Sequence, residues 1–342
     1  MHEKLASTYD AFGRQWAHGT SPLYEEWAIG IGGDPEILAL IAALPRLQQQ
    51  PNRMFAAARW AGSPLAPFPV WREWLVDHWA EVEAIAAVRT VQTNEVSRCA
   101  TWIPPMSAID GPLALLEVGA AAGLCLFPDR YSYEYESNGI VTRLDPADGA
   151  SDVVLPCRID DPASIPERLP DVVWRRGIDL NPIDAGDGDT VDWLATLVWP
   201  GPDHDGRVDR LRRAAALVAA ERPQIVTGDL LERLEDVAAT APAEATLVVY
   251  HSAVLLYLDP SQRRRFADLI GSLGARISRR VVWLSNETVG TLPEIDAQVP
   301  PGIASDHRFV QTIDGTPIAM ANQHGAFYET RQFRASRSRP KT

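Results

Sequence analysis

At 342 residues, 46% hydrophobic and 23% charged, the chain has the make-up of an ordinary globular protein, with room for one large domain or two smaller ones. Its net charge of −13 excludes a general nucleic-acid binder, whose phosphate contacts need a basic face. Cys99, Cys125 and Cys157 form no CxxC pair, and no signal-peptide core or membrane-length apolar run occurs, so a cytoplasmic protein with reduced thiols, no metal and no membrane contact is expected.

Residues 1–110 read as an all-helical domain. Leu5, Tyr9, Phe12 and Trp16 recur every three or four positions as one apolar stripe. Ser21-Pro22 and Asp34-Pro35 each place a capping side chain before a proline at the first helical position, which starts a new helix. A short helix runs from Asn52 to Trp60. The longest begins near Val70 with Trp71, Trp74, Leu75, His78, Val82 and Ile85 on one side, which makes His78 a core residue. Seven of the eleven tryptophans lie in 1–102, enough to fill helix interfaces or to wall a pocket. In the polar run that follows, Thr93 reads as a helix cap, and Asn94, Glu95 and Arg98 fall within one turn. Glu95 and Arg98 share a face and are placed to reach over the first strand–helix loop.

From 111 to 333 strands alternate with helices. Leu113-Ala-Leu-Leu-Glu117-Val is an uninterrupted buried strand, and Gly119-Ala-Ala-Ala-Gly123 is a tight turn into a helix, where backbone amides approach a ligand closely. Residues 127–172 are an insertion in which Tyr131-Ser-Tyr-Glu-Tyr-Glu alternates like a strand. A second strand from Val172 leads to Asp179, Asn181 and Pro182. A helix spans about Val208 to Arg222, and a third strand from Gln224 ends in Gly228-Asp229. The fourth runs from Ala245 to Tyr250 and ends in His251-Ser252, with Tyr257 beyond. The fifth, from Arg280 to Ser285, ends in Asn286-Glu287. Asp314-Gly315 marks a terminal hairpin, His324 lies near a late strand end, and 334–342 read as a disordered basic tail. The pattern is a Rossmann-like, doubly wound α/β sheet preceded by a helical domain, and such sheets bind ligands outside the carboxyl ends of their strands.

The residues at those ends resemble the Rossmann-like S-adenosylmethionine-dependent methyltransferases over roughly 113–333. The resemblance implies that Glu117, Gly119, Ala121 and Gly123 hold the amino-acid end of S-adenosylmethionine. It places Asp179, with Asn181 in its turn, at the ribose, and Asp229 near the adenine. Ala121 stands where the usual loop has its middle glycine, and the fourth strand ends in His-Ser where that family carries an acid or an Asn-Pro-Pro-Tyr type of sequence. The whole chain also resembles an uncharacterised bacterial family, domain of unknown function 2332, through Ser21-Pro-Leu-Tyr, Gln50-Pro-Asn, Gln92-Thr-Asn-Glu, Glu117-Val-Gly-Ala-Ala-Ala-Gly-Leu, Gly177-Ile-Asp-Leu-Asn-Pro and His324-Gly.

The expected function is therefore methyl transfer from S-adenosylmethionine to a small-molecule acceptor, with the helical domain as a cap. His251 is the expected base, a neutral imidazole at a strand end facing a cleft, with Tyr257 and Glu95 beside it in the catalytic set. Asn94, Arg98, Glu287 and His324 are the candidate substrate contacts. The alternative is a non-catalytic nucleoside-binding or protein-interaction module on the same fold. A phosphate-binding Gly-x-x-x-x-Gly-Lys loop, a Gly-x-Gly-x-x-Gly fingerprint and a Gly-x-Ser-x-Gly elbow are all absent from the sequence.

Overall fold

The computed structural model describes residues 2–92, 94–303 and 308–333. Thr93, read above as a cap, and the tail 334–342 lie outside the described residues. The chain divides into two compact units, Met1–Thr93 with Asp187–Arg212, and Asn94–Gly186 with Arg213–Thr342. The boundary thus falls at 93/94 and not at 110/111, and 187–212 belong with the helices. Among the described residues no helix is long and apolar enough to cross a membrane.

In the helical unit the sequence signals act as expected at the caps. Ser21 Oγ accepts the Tyr24 amide at 3.3 Å, and Asp34 Oδ1 accepts those of Glu36 and Ile37, starting helices Pro22–Gly32 and Pro35–Ala42. Tryptophans fill interfaces: Trp27 stacks on Trp71 at 4.4 Å, with Tyr24 and Phe55 packed around them. Two readings change. Helix Glu3–Ala11 gives way to a π-helical turn, Phe12–Ala17, whose wider winding rotates the apolar stripe and leaves Trp16 44% exposed. The long helix expected from Val70 is two, Phe68–Asp77 and Trp79–Val88. His78 at the break is exposed, because its Nδ1 turns back to the Trp74 carbonyl at 2.8 Å and its ring stacks on Trp74. The 187–212 segment completes this unit. Trp199 packs on Phe12 and Tyr24, the Trp193 indole donates to the Thr90 carbonyl, and Arg59 donates to the carbonyls of Thr196 and Val198 at 2.6 Å.

Among the described residues the second unit holds one sheet of eleven strands: β1 Leu113–Val118, β2 Ser132–Ser137, β3 Ile140–Leu144, β4 Val154–Ile159, β5 Val172–Asp179, β6 Gln224–Thr227, β7 Thr246–Ser252, β8 Val281–Glu287, β9 Arg308–Ile313, β10 Thr316–Asn322 and β11 Phe327–Glu329. Their order is β3-β2-β4-β11-β10-β9-β8-β7-β1-β5-β6. The five strands from β6 to β8 are mutually parallel, and β9 and β10 form the expected antiparallel hairpin around Asp314-Gly315. Residues 127–172 extend the same sheet, since β4 pairs in parallel with β11 and with β2. Apolar residues of β1, β7 and β8 pack with helices Leu230–Ala238 and Pro260–Arg276 in one core.

No α-helix follows β1. The chain makes two 3-10 turns, Leu124–Leu126 and Pro128–Arg130, and enters β2. The cause is local: Pro128 has no amide for the Leu124 carbonyl, which accepts the Tyr131 hydroxyl at 2.6 Å, and the Leu126 carbonyl accepts from Arg175. The loop therefore lacks the helix N-terminus expected behind it.

Helix Cys99–Ser107 is fastened by the opposite device. Pro104 and Pro105 deprive the Ala100 and Thr101 carbonyls of intrahelical donors. The Tyr135 hydroxyl donates to Ala100 at 2.7 Å and Gln311 Nε2 to Thr101 at 2.8 Å, while Gln311 Oε1 accepts the Tyr328 hydroxyl. Tyr135→Phe orphans a buried carbonyl and is expected to cost about 1–3 kcal/mol in urea unfolding. Adding Pro104→Ala supplies an amide to the same carbonyl, so the double variant should lose less than the sum of the two single changes. Strict additivity would refute the exchange of partners.

Candidate functional site

The parallel strands, numbered by their order in the chain, run 3-2-1-4-5 across the sheet, so successive connections diverge between β1 and β7. At the carboxyl ends there stand Glu117 on β1, Ser252 on β7 and Glu287 on β8. Two chain segments meet nearby, 94–98 and the turn 322–325. Gly325 lets them close: it has a φ of +74°, and a Cβ there would collide with the Ser97 carbonyl. Arg98, 8% exposed, ties the pieces together. Its Nε donates to the Gln323 carbonyl at 2.9 Å and its Nη1 to the Ser252 carbonyl at 3.3 Å, and the guanidinium lies over the Phe309 ring. Burial lowers its pKa, and the charges of Cys125, Glu95, Glu117 and Glu287 oppose that shift.

Glu117 is also 8% exposed, yet among the described residues its side chain makes no hydrogen bond or ion pair, and its Oε2 is buried without a partner. Burial raises its pKa well above the carboxylate range; Cys125 and Asp179 add to the shift and Arg98 opposes it. Glu287 is arranged differently. Its Oε1 accepts from His251 Nδ1 at 2.8 Å and from the amides of Val254 and Leu255 at 2.9 and 3.0 Å, while Oε2 is buried without a partner. This carboxylate holds the chain as it leaves β7, where Ala253 adopts a φ of +57°. The turn sets Val254 against Gly119, leaving no room for a Cβ there.

His251 does not face a cleft. It is fully buried, beside Phe266 and Trp283, and its Nε2 accepts the Trp283 indole N–H at 3.0 Å. Nδ1 therefore carries the proton given to Glu287, and no lone pair is left to act as a base. The sequence places His251 at a strand end but does not reveal which face it takes or that Trp283 stands opposite.

The loop after β1 is closed upon itself. The amides of Gly119 and Ala120 donate to the Ile178 carbonyl, that of Ala121 to Asp179 Oδ2 at 2.8 Å, that of Ala122 to Asn94 Oδ1 at 3.0 Å, and that of Gly123 to the Ala120 carbonyl. Ala121 sits at a φ of +47°, a left-handed geometry costly for a residue with a Cβ, and Asp179 holds it there. Asp179 Oδ1 also accepts the Asn181 amide at 2.8 Å. The backbone donors expected to face a ligand are thus engaged within the protein. Asp229, beyond β6, caps helix Leu230–Ala238 through the Leu231 amide at 2.7 Å.

The remaining candidates lie close to Arg98. Glu95 Oε1 caps the Ser97 amide, and its Oε2 stands 3.8 Å from His324 Nδ1. Tyr257, in the turn Leu255–Tyr257, is 76% exposed and within the electrostatic reach of Arg98 and Glu287. The fold thus gathers Glu95, Arg98, Glu117, Tyr257, Glu287 and His324, with Asn94, Asp179 and Asn181 bracing the glycine loop. It leaves His251 behind this group and Asp229 at a helix cap. Sequence reasoning missed Val254, Trp283, Gln323 and Gly325; only the glycine after His324 carried a signal, as a turn residue. Among the described residues no three His, Cys, Asp or Glu side chains are placed to hold a metal ion.

Two stability measurements check this arrangement. His251→Ala leaves Glu287 short of a donor and the Trp283 N–H unpaired, and should cost about 3–5 kcal/mol in denaturant unfolding, close to the loss on breaking a buried pair. Glu117, with its pKa raised in the folded state, favours folding at low pH and loses that contribution as pH rises toward the folded-state value. Relative to Glu117→Gln, the wild type should therefore weaken with rising pH from about 4.5 upward, by at most about 1.4 kcal/mol per pH unit. A pH-independent difference would show that Glu117 ionises as freely folded as unfolded.

No curated protein and no solved structure matches the chain. The profile of one bacterial family matches residues 6–329, which takes in both compact units. The chain belongs to that family, described as uncharacterized protein conserved in bacteria (DUF2332).

Proposed function

We propose that the carboxyl edge of the five parallel strands binds S-adenosylmethionine, and that the protein transfers the methyl group to a small-molecule acceptor. The 3-2-1-4-5 order favours a Rossmann-like, doubly wound assignment, in which ligands sit where the connections diverge. The observation that carries the reading is Glu117. It is the penultimate residue of β1 at that point, its Oε2 is buried without a partner among the described residues, and it shares its surroundings with Glu95, Glu287 and the Arg98 guanidinium. Among the described residues, the carboxyl groups of Glu95, Glu117, Glu287 and Asp179 near the Arg98 guanidinium suit a ligand that brings positive charge, as the ammonium and sulfonium of S-adenosylmethionine do.

On this reading Glu117 takes the ammonium and Arg98 the ligand carboxylate. Asp179 uses each oxygen for one loop amide and keeps further lone pairs for ribose hydroxyls. Bound there, S-adenosylmethionine supplies an electrophilic methyl group. The chain contributes alignment of the acceptor, since an in-line displacement asks mainly for orientation. Side chains take the role that the engaged amides of 119–123 do not fill.

Those engaged amides favour a second reading, a nucleoside-binding module without catalysis. Calorimetric titration with S-adenosylhomocysteine, with adenosine and NADH as controls, separates the two. Saturable binding that weakens at least tenfold (about 1.4 kcal/mol) in Glu117→Gln and in Asp179→Ala supports the cofactor site. Equal affinity for adenosine, without effect of Glu117→Gln, favours the module. No binding by the folded protein rejects both.

A further inference from the structure

We propose that binding at this edge is an exchange of cations, in which the ligand's ammonium displaces a proton that Glu117 holds in the ligand-free protein. The inference rests on the S-adenosylmethionine reading and adds to it the state of the carboxyl before the ligand arrives. Glu117 lies one residue from the end of β1, and its Oε2 is buried without a partner among the described residues. Charged, that oxygen would lack the hydrogen bonds that replace hydration, so the carboxyl is more stable neutral. Glu287 offers the contrast. Three donors converge on its Oε1, from His251, Val254 and Leu255, where the Glu117 side chain has none.

The groups around Glu117 do not supply the missing compensation. Arg98, in the 94–98 segment, favours the carboxylate, but its Nε and Nη1 already donate to the Gln323 and Ser252 carbonyls. Cys125, in the turn after β1, and Asp179, at the end of β5, act with burial against the charge. Cys99 on helix Cys99–Ser107, Tyr131 before β2 and Tyr250 on β7 complete the surroundings. Burial pushes all three well above their ordinary pKa values, so they stay neutral and bring no cation.

The exchange balances in charge. The α-amino group of the ligand is protonated below about pH 7.5. As it arrives, the O–H bond of Glu117 breaks, the proton leaves to solvent, and the ammonium donates to the carboxylate in its place. One positive charge enters with the ligand and one departs, so the net charge of the buried region is unchanged. Proton and ligand therefore compete for one carboxyl group. Affinity rises with pH while Glu117 is neutral in the ligand-free protein, by up to about tenfold per unit. A nucleoside without an amino-acid end leaves the proton where it is, and its affinity lacks that slope.

Infrared difference spectra of the ligand-free protein against Glu117→Gln at about pH 6, above the ordinary carboxyl range, test the starting state without any cofactor. The wild type should show the carbonyl band of a protonated carboxyl group that the variant lacks. Calorimetric titration of the wild type with S-adenosylhomocysteine, in two buffers of unlike ionisation enthalpy, tests the exchange. About one proton should leave per ligand bound, and 5′-methylthioadenosine, which lacks the amino-acid end, should release none. Binding of S-adenosylhomocysteine without proton release, equal release by 5′-methylthioadenosine, or a wild-type spectrum without the band would overturn the exchange and leave the cofactor reading standing. No binding by a protein that shows the band would instead reject the cofactor reading, and the exchange with it.

Discussion

A guanidinium withdrawn from water is the constraint around which the strand-end region is built. Arg98 contacts the carbonyls of Ser252 and Gln323, so a segment before β1, the end of β7 and the turn after β10 all converge on one cation. A buried charge is tolerated only where opposite charge and hydrogen bonds replace its hydration. The carboxyl groups of Glu95, Glu117 and Glu287 surround it, and burial disfavours the charged form of Glu117.

The sheet unit holds two histidine–glutamate pairs that differ in burial. In the His251–Glu287 pair both ring nitrogens are engaged and the carboxylate organises a turn. In the His324–Glu95 pair the ring keeps contact with solvent. The same two residue types form a buried rivet in one place and a solvent-touching contact in the other.

The legible parts of the fold are those encoded locally. The uninterrupted apolar run before Glu117 and the proline-preceded caps at Ser21 and Asp34 needed only neighbours within a few residues. The hairpin at Asp314-Gly315 likewise needed only a turn of fixed type. The helix expected after Gly123 fails for an equally local reason, Pro128, which the glycine loop overshadowed. The surroundings of His251 and His324 were not legible. They depend on which face of β7 looks inward, and on a turn that meets Glu95 across most of the chain's length. Asn94, read as a substrate contact, has its side-chain oxygen on the loop amide of Ala122, a partner 28 residues away that local sequence did not point to.

The crossing of the chain between the two compact units has a consequence for synthesis. An emerging chain that has reached residue 93 holds most of the helical unit but not Trp199, which packs on Phe12 and Tyr24, nor the carbonyls that receive Arg59. Those arrive only after β1 to β5 have left the ribosome. The first segment to be made therefore cannot finish its core until residue 212 has emerged, and its aromatic surface stays open while the first strands of the sheet unit are being synthesised.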